Sequence, residues 1–324
     1  MSELSSKVKT SLERLKAFEP EEGYYLAFSG GKDSVTCKAL LDMANCKYEA
    51  VYRVTSVDPP ELVRFIKEKH PDVRREVPRG ENGKPVTMWN LIPKKLMPPT
   101  RIVRYCCTEL KEDGGDGRKV VTGVRWAEST KRKQNQGIVT FPTKNKQIIR
   151  ELTDNPDFSL TKLGGVVLTN DNADSRRMVE QCYRRSKVTI NPIIDWEDTD
   201  VWEFIKGEDI PYCSLYDEGF ERLGCIGCPM ARRAGREREF ARWQKYKTAY
   251  LLRHEPAPQR DADSRSRCID GAFQNRYHQS VCPYKPGAGK ALIYQIFVKI
   301  WCRRPKPCDP RGGICRPALP LIRK

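Results

Sequence analysis

The sequence predicts an α/β fold: a doubly wound parallel sheet over roughly residues 20–205, followed by a helical, cysteine-containing C-terminal part. Three observations lead there. Short apolar runs alternate with helical segments, which argues for a parallel sheet covered on both faces. The first run stops at a glycine turn that opens directly into a helix. Of the 324 residues, 39% are hydrophobic and 31% charged, enough apolar material for a core, so a wholly disordered chain is excluded.

Taken in order, Val8, Leu12, Leu15 and Phe18 stand at helical spacing, with Pro20 just beyond them. Residues 24–28 form an apolar run that ends at Ser29-Gly30-Gly31-Lys32-Asp33-Ser34, and residues 35–44 read as a helix. A second strand over 48–54 precedes a helix over 60–69 with proline in its first turn. Strands are expected at 73–77 and 119–124, with a helix at 88–96 between them. Residues 127–165 are polar and read as a long loop or insertion near the sheet's edge. Residues 166–168 and 188–190 suggest further strands. The helix expected over 198–206 is led by acidic residues, which suits the positive end of its dipole. A longer basic helix over 232–253 carries Phe240, Trp243 and Tyr250. The organisation is therefore an N-terminal helix (1–19), a nucleotide-binding α/β domain (20–205), a Cys-x-x-Cys and basic helical region (206–254), and a basic, Pro- and Cys-rich tail (255–324) expected to be poorly ordered.

The net charge of +17 divides along the chain. Residues 255–324 hold 14 basic and five acidic residues, a net +9, so only +8 belongs to the rest. No apolar run approaches the roughly 20 residues that span a bilayer, and the N-terminus reads as an amphipathic helix, so a cytoplasmic protein with no membrane partner is expected. Thirteen cysteines in a reducing compartment point to thiols, metal ligands or redox chemistry rather than a disulfide framework.

The hexapeptide Ser29–Ser34 lies between a strand and a helix, where free N–H groups and the helix dipole hold an anion. Gly30 and Gly31 admit phosphate oxygens close to the backbone. Lys32 supplies a mobile positive charge, Ser29 and Ser34 supply hydroxyls, and Asp33 suits magnesium or an amide-orienting role. The pattern is neither a Walker A loop nor G-x-G-x-x-G; a bare tight turn is the competing explanation. Cys106 and Cys107 stand together before a helix, and Cys225 and Cys228 form a C-x-x-C turn eased by Gly227. Thiolates so spaced can share one metal, and four suit zinc or an iron–sulfur cluster, a choice the spacing leaves open. Cys37, Cys46 and Cys182 read as ordinary core or surface thiols, with Cys182 and Cys213 as the alternatives for a substitute ligand.

Ser-Gly-Gly-Lys-Asp-Ser in this position resembles the loop of the adenine nucleotide α-hydrolase superfamily, the Rossmann-like PP-loop ATP pyrophosphatases. That loop, together with Val57-Asp58-Pro59-Pro60-Glu61-Leu62, Arg101-Ile102-Val103-Arg104-Tyr105-Cys106-Cys107, Thr122-Gly123-Val124-Arg125, Asn191-Pro192-Ile193-Ile194-Asp195-Trp196 with Asp200-Val201-Trp202, and Ile210-Pro211-Tyr212 followed by Gly224–Pro229, resembles the phosphoadenosine phosphosulfate (PAPS) reductase family, which includes phage and bacterial members and DNA phosphorothioation sulfurtransferases. The resemblance runs over about residues 20–250. It implies that Ser29, Gly30, Gly31, Lys32, Asp33, Ser34, Gly123 and Arg125 bind an adenine nucleotide, with Lys32, Asp33 and Arg125 catalytic. Arg125 at a strand end, on the carboxyl edge of the sheet, also suits bidentate pairing with a phosphate on physical grounds alone. Trp196 and Trp202 are assigned to packing. The resemblance to adenylylsulfate reductases further implies a [4Fe–4S] cluster on Cys106, Cys107, Cys225 and Cys228, with zinc as the alternative.

Reductases of that family carry a modified loop and a C-terminal Glu-Cys-Gly-x-His motif, and this sequence has the intact loop and no such motif. The leading expectation is therefore an ATP- and magnesium-dependent enzyme that adenylates an acceptor and transfers sulfur to it from an unidentified donor. PAPS or adenylylsulfate reduction is the alternative, and a non-catalytic, zinc-containing nucleic-acid-binding protein the third. DNA or tRNA as a partner rests on the clusters Lys131-Arg132-Lys133, Arg184-Arg185 and Arg232-Arg233 with Arg236.

Overall fold

The computed structural model describes residues 3–254 except 113, 142–144, 170–171, 173, 176 and 180–187. Cys182, Arg184, Arg185 and the tail, with Cys268, Cys282, Cys302, Cys308 and Cys315, lie outside the described residues.

Eight strands form one sheet: β1 (Tyr24–Ala27), β2 (Tyr48–Arg53), β3 (Arg74–Glu76), β4 (Lys119–Val121), β5 (Val139–Phe141), β6 (Phe158–Leu160), β7 (Val166–Leu168) and β8 (Val188–Ile190). Their spatial order is β3-β2-β1-β4-β8-β5-β7-β6. The first five in that order pair in parallel, with Tyr25 opposite both Glu49 of β2 and Val120 of β4. Chain direction across the sheet reverses between β1 and β4, because β2 and β3 lie to one side of β1 and β4 to the other. In an open α/β sheet that reversal leaves a crevice beyond the carboxyl ends of the two strands, the usual place for a ligand.

The mostly parallel sheet matches the expectation, and two differences stand out. Residues 127–165 contain the helix Thr130–Asn135, β5, the helix Lys146–Thr153 and β6. β5 enters the sheet antiparallel to β8 and β7, and β6 pairs antiparallel with β7. Val139, Thr140 and Phe141 are all buried, so this three-residue strand has no alternation to betray it. The basic helix is two helices, Arg233–Arg242 and Gln244–His254, broken at Trp243.

The central strands are buried on both faces, with Leu26, Val51, Val121, Val188 and Ile190 all 1% exposed or less. The helix Pro60–Lys69 places Leu62, Phe65 and Ile66 inward, Glu61 in its first turn and Lys67 and Lys69 in its last, as the dipole favours. The N-terminal helix Glu3–Ala17 is docked by polar contacts. Ser11 Oγ and Arg14 donate to the Pro192 carbonyl, Arg14 forks onto Asp195 at 2.9 Å twice, and Trp196 Nε1 donates to Ser11 Oγ. This helix and Asp198–Gly207 both pack on Lys32–Met43, the helix that leaves the glycine turn. Among the described residues no helix is long and apolar enough to cross a membrane.

Candidate functional site

The glycine turn occupies the carboxyl end of β1, at the edge of the crevice. Gly30 has φ +72°, a left-handed conformation that favours glycine, and a Cβ there would sit 2.8 Å from Ile66. Gly31 is the N-cap of helix Lys32–Met43, and a Cβ on it would meet only Ser29 Oγ and the Tyr216 hydroxyl, both at 3.5 Å. The serines first serve the turn itself. Ser34 Oγ donates to the Gly31 carbonyl at 2.9 Å and accepts from Ser29 N–H, while Ser29 Oγ contacts Ser34 Oγ at 3.2 Å. Ser29 alone of the two is exposed.

The segment after β4 approaches from the other side. Thr122 Oγ1 donates to buried Asn191, whose amide donates to the Gly137 carbonyl, tying the ends of β4 and β8 together. Gly123 then passes so close to the turn that a Cβ would lie 2.7–2.9 Å from Asp33, backbone included. Two residues on, Arg125 is 1% exposed and fully engaged. Its Nε donates to Asp33 Oδ1 at 2.7 Å, one Nη to Asp198 Oδ1 at 2.5 Å and the other to the Trp196 carbonyl at 3.3 Å. Lys32 is buried as well, with Nζ 3.4 Å from the same Asp198 oxygen and 3.3 Å from the Glu221 carbonyl. The fold therefore brings Lys32, Asp33, Gly123 and Arg125 together. One carboxylate, on a side chain 62% exposed, spans the two cations. Burial alone raises the Asp198 pKa, but the Arg125 hydrogen bond and the charges of Lys32 and Arg125 outweigh it and hold the carboxyl below its ordinary range.

Sequence reasoning missed four residues of this site. Asp198 reads in the sequence as dipole compensation. Tyr216, on the turn Ser214–Tyr216, accepts the Lys32 backbone N–H on its hydroxyl at 2.9 Å. Arg132, placed by sequence with the nucleic-acid cluster, pairs with Glu128 and lies within the electrostatic field of Asp33, Arg125 and Arg222. Burial, with Arg222 and Arg125 nearby, lowers its pKa. Arg222 is exposed beside Glu221. Arg125 caps the turn Trp126–Glu128 and Arg132 stands on the next helix, Thr130–Asn135, so only the Glu128–Arg132 spacing of four was there to be read in the sequence.

The four cysteines come from two segments. Cys106 and Cys107 lie on the helical turn Tyr105–Cys107, and Cys225 and Cys228 flank a turn closed by a Cys228 N–H to Cys225 carbonyl bond of 3.1 Å. Ile226 N–H donates to the Val57 carbonyl and Gly227 N–H to Glu239 Oε2 at 2.7 Å, fixing that turn between the segment after β2 and the helix Arg233–Arg242. All four are free thiols, and Cys106 is under the electrostatic influence of Cys107, Cys225 and Cys228 together. Hydrogen bonding to Cys107 and burial push the Cys106 thiol up, and the same shared proton pushes Cys107 down. Lys111 places positive charge beside Cys225. This is the donor chemistry of a four-thiolate centre in a field that tolerates its negative charge. Among the described residues no three cysteine, histidine or carboxylate groups close to metal-ligating geometry. Cys213 is buried and Cys37 and Cys46 lie in the core.

The arginines of helix Arg233–Arg242 turn largely to the protein itself. Arg236 donates to the Pro229 and Ala231 carbonyls, Arg238 to those of Gly219 and Glu218, and Arg242 to the Glu218 and Glu61 carboxylates. Arg232, Arg233, Lys131 and Lys133 remain exposed.

An uncharacterized protein of Methanocaldococcus jannaschii is 28% identical over 217 residues, 64% of this chain and 42% of that protein. A second from the same organism is 25% identical over 255 residues. The chain spans 42% of the length of each. The adenosine 5'-phosphosulfate reductase of Neisseria meningitidis is 42% identical over 53 residues, 16% of this chain and 22% of that enzyme. Among solved structures, a Candida auris phosphoadenylyl-sulfate (PAPS) reductase in complex with phosphate aligns over 70% of this chain and 97% of its own, at 13% identity and a TM-score of 0.37. The model of the phosphoadenosine phosphosulfate reductase domain matches residues 23–231, and the chain belongs to the PAPS reductase family.

Proposed function

We propose that the chain is an ATP-dependent enzyme that adenylates an oxygen of an acceptor and then transfers sulfur to it. One observation carries the reading: an intact Ser-Gly-Gly-Lys-Asp-Ser turn, at the point where the strand order reverses in the sheet, with Lys32 and Arg125 converging on a single anionic oxygen. An ATP pyrophosphate suits that arrangement in charge and position. The acceptor oxygen attacks the α-phosphorus, the bond to the β-phosphate oxygen breaks, and pyrophosphate leaves. Lys32, the turn's N–H groups and Arg125 stabilise the negative charge of the leaving group, which is the main demand of phosphoryl and nucleotidyl chemistry. Asp33 is the residue that would hold magnesium, which would supply positive charge for the leaving pyrophosphate. Attack by the donor's sulfur on the activated carbon then expels AMP.

Cys106, Cys107, Cys225 and Cys228 would hold a [4Fe–4S] cluster, with zinc as the alternative, and a cluster there supplies a centre with affinity for sulfur. The acceptor class we favour is nucleic acid, supported by the exposed Lys131, Lys133, Arg232 and Arg233. Retention of DNA or tRNA by the protein, falling with salt, tests that part.

Sulfonucleotide reduction is the second reading, favoured by the likeness to adenosine 5'-phosphosulfate reductases. It requires a nucleophilic cysteine among Cys268, Cys282, Cys302, Cys308 and Cys315. Anaerobic purification, metal analysis and assay of AMP and pyrophosphate from ATP separate the two. Pyrophosphate release dependent on a sulfur acceptor is expected. Reduction of PAPS with thioredoxin, without pyrophosphate release from ATP, would overturn the adenylation reading.

A further inference from the structure

We propose that Tyr216 is a binding residue of the phosphate site, its hydroxyl accepting from the Lys32 backbone N–H and donating its own proton to a nucleotide pyrophosphate. This rests on the reading of the Ser29–Ser34 turn as an ATP site and names a residue 184 positions away as part of it.

Tyr216 reaches the turn because its ring is held from two sides. Trp202 stands edge-on to it at 4.9 Å and 83°, and the Lys32 ammonium lies 5.9 Å from its ring centre. The backbone around it is fixed by bonds from Tyr216 N–H to the Cys213 carbonyl and from Gly219 N–H to the Tyr216 carbonyl. Its hydroxyl oxygen accepts the first N–H of the helix, a donor that no intrahelical carbonyl can satisfy. A phenol that accepts one hydrogen bond still has one to give. Among the described residues that proton has no acceptor, although the oxygen lies 3.5 Å from where a Gly31 side chain would project, beside Ser29 Oγ. Burial raises the phenol's pKa above its ordinary value, so it stays protonated and remains a donor. Accepting the Lys32 N–H polarises the hydroxyl and strengthens what it donates. An anion seated over the turn is the partner that such a donor fits.

The test is calorimetric titration of the full-length protein and its Tyr216→Phe variant with magnesium pyrophosphate, ATP and AMP. A hydrogen bond to a charged group predicts that the variant binds pyrophosphate and ATP about tenfold more weakly. AMP, which lacks the β,γ-pyrophosphate, should change less than twofold, a selectivity that general loosening of the fold would not produce. Pyrophosphate binding by the variant within twofold of wild type, or tighter, overturns the inference while leaving the ATP reading intact. Failure of the wild-type protein to bind either pyrophosphate or ATP refutes the ATP reading itself, and the inference falls with it. Should the variant not fold, 3-fluorotyrosine placed at position 216 keeps the question open to measurement: its fluorine resonance is expected to shift on addition of pyrophosphate, and an unchanged resonance under saturating pyrophosphate refutes the contact.

Discussion

Replacing Asp198 by asparagine is expected to tighten the binding of pyrophosphate. One Asp198 oxygen lies 2.5 Å from Arg125 and 3.4 Å from Lys32, so a phosphate binding to those cations must compete with a carboxylate that holds both. At 3.4 Å a pair of unit charges interacts by about 5 kcal/mol at an effective dielectric of 20. The Asp198 side chain is 62% exposed, and water screens it heavily. Exposed pairs contribute roughly 0.2–1 kcal/mol each, so the two contacts together oppose phosphate by about 1 kcal/mol. That corresponds to about fivefold in affinity. Arg125 keeps its second carboxylate, Asp33, and so stays oriented in the variant. Asp198 also leads its helix, and losing that charge costs about 0.5 kcal/mol of stability. Calorimetric titration with pyrophosphate at low and high salt measures the effect, and the difference between variant and wild type should shrink as salt rises. Weaker binding by Asp198→Asn would refute the reasoning, because it would make the carboxylate an organiser of the site rather than a competitor for it.

Gly123→Ala forces a methyl against the Asp33 backbone and is expected to destabilise the fold by about 2 kcal/mol, read by urea unfolding, with loss of ATP binding. His70 is buried between Phe28 and Phe65 with Nε2 unpartnered, and burial, assisted by the Lys38 charge, holds its pKa below the ordinary value. The unfolded ring takes a proton below about pH 6.5 while the folded ring resists it. Stability should therefore fall as pH drops below that point, levelling once the folded ring also protonates, and His70→Leu should remove this contribution from the pH profile of urea unfolding. Substituting serine at Cys106, Cys107, Cys225 or Cys228 is expected to lower bound iron and absorbance at roughly 400 nm after anaerobic purification, whereas Cys37→Ser leaves both unchanged. Equal iron content in all five variants would remove the four-cysteine assignment.

The parts of the fold legible in the sequence are those with a long signal. β1 and β2 carry runs of apolar and aromatic residues, and the glycine turn marks where the first ends. β5 and β6 are three residues long, and β5 is buried throughout, so neither offers a period to read. The helix Lys146–Thr153 did carry a mark, since Asn145 caps it by accepting from Gln147 and Ile148 N–H, but polar neighbours on both sides obscured it. The break at Trp243 is tertiary in origin: the indole leaves the helical path and donates to Glu61 at 3.1 Å. Within the site, the local residues were legible and the distant ones were not. Lys32 and Asp33 belong to a continuous motif, whereas Asp198 and Tyr216 meet it only because helix Asp198–Gly207 packs on the helix leaving the turn.

That packing also changes how the residues after the sheet are understood. In sequence, the tyrosine turn, the Cys-x-x-Cys turn and the basic helix are three separate features; in the fold they are parts of one brace. Tyr216 and the Glu221 carbonyl hold Lys32 at one end, and the Cys225–Cys228 turn follows a few residues later. Between and behind them, Arg238 and Arg242 bind the chain at Glu218 and Gly219, and Arg236 binds it at Pro229 and Ala231. Arginine suits this task because its planar fork satisfies several carbonyls at once from a fixed position. Much of the positive charge on this helix is therefore taken up by carbonyls and carboxylates of the protein itself. A segment anchored in this way links the glycine turn, through Tyr216 and Glu221, to the Cys-x-x-Cys turn within a few residues of chain.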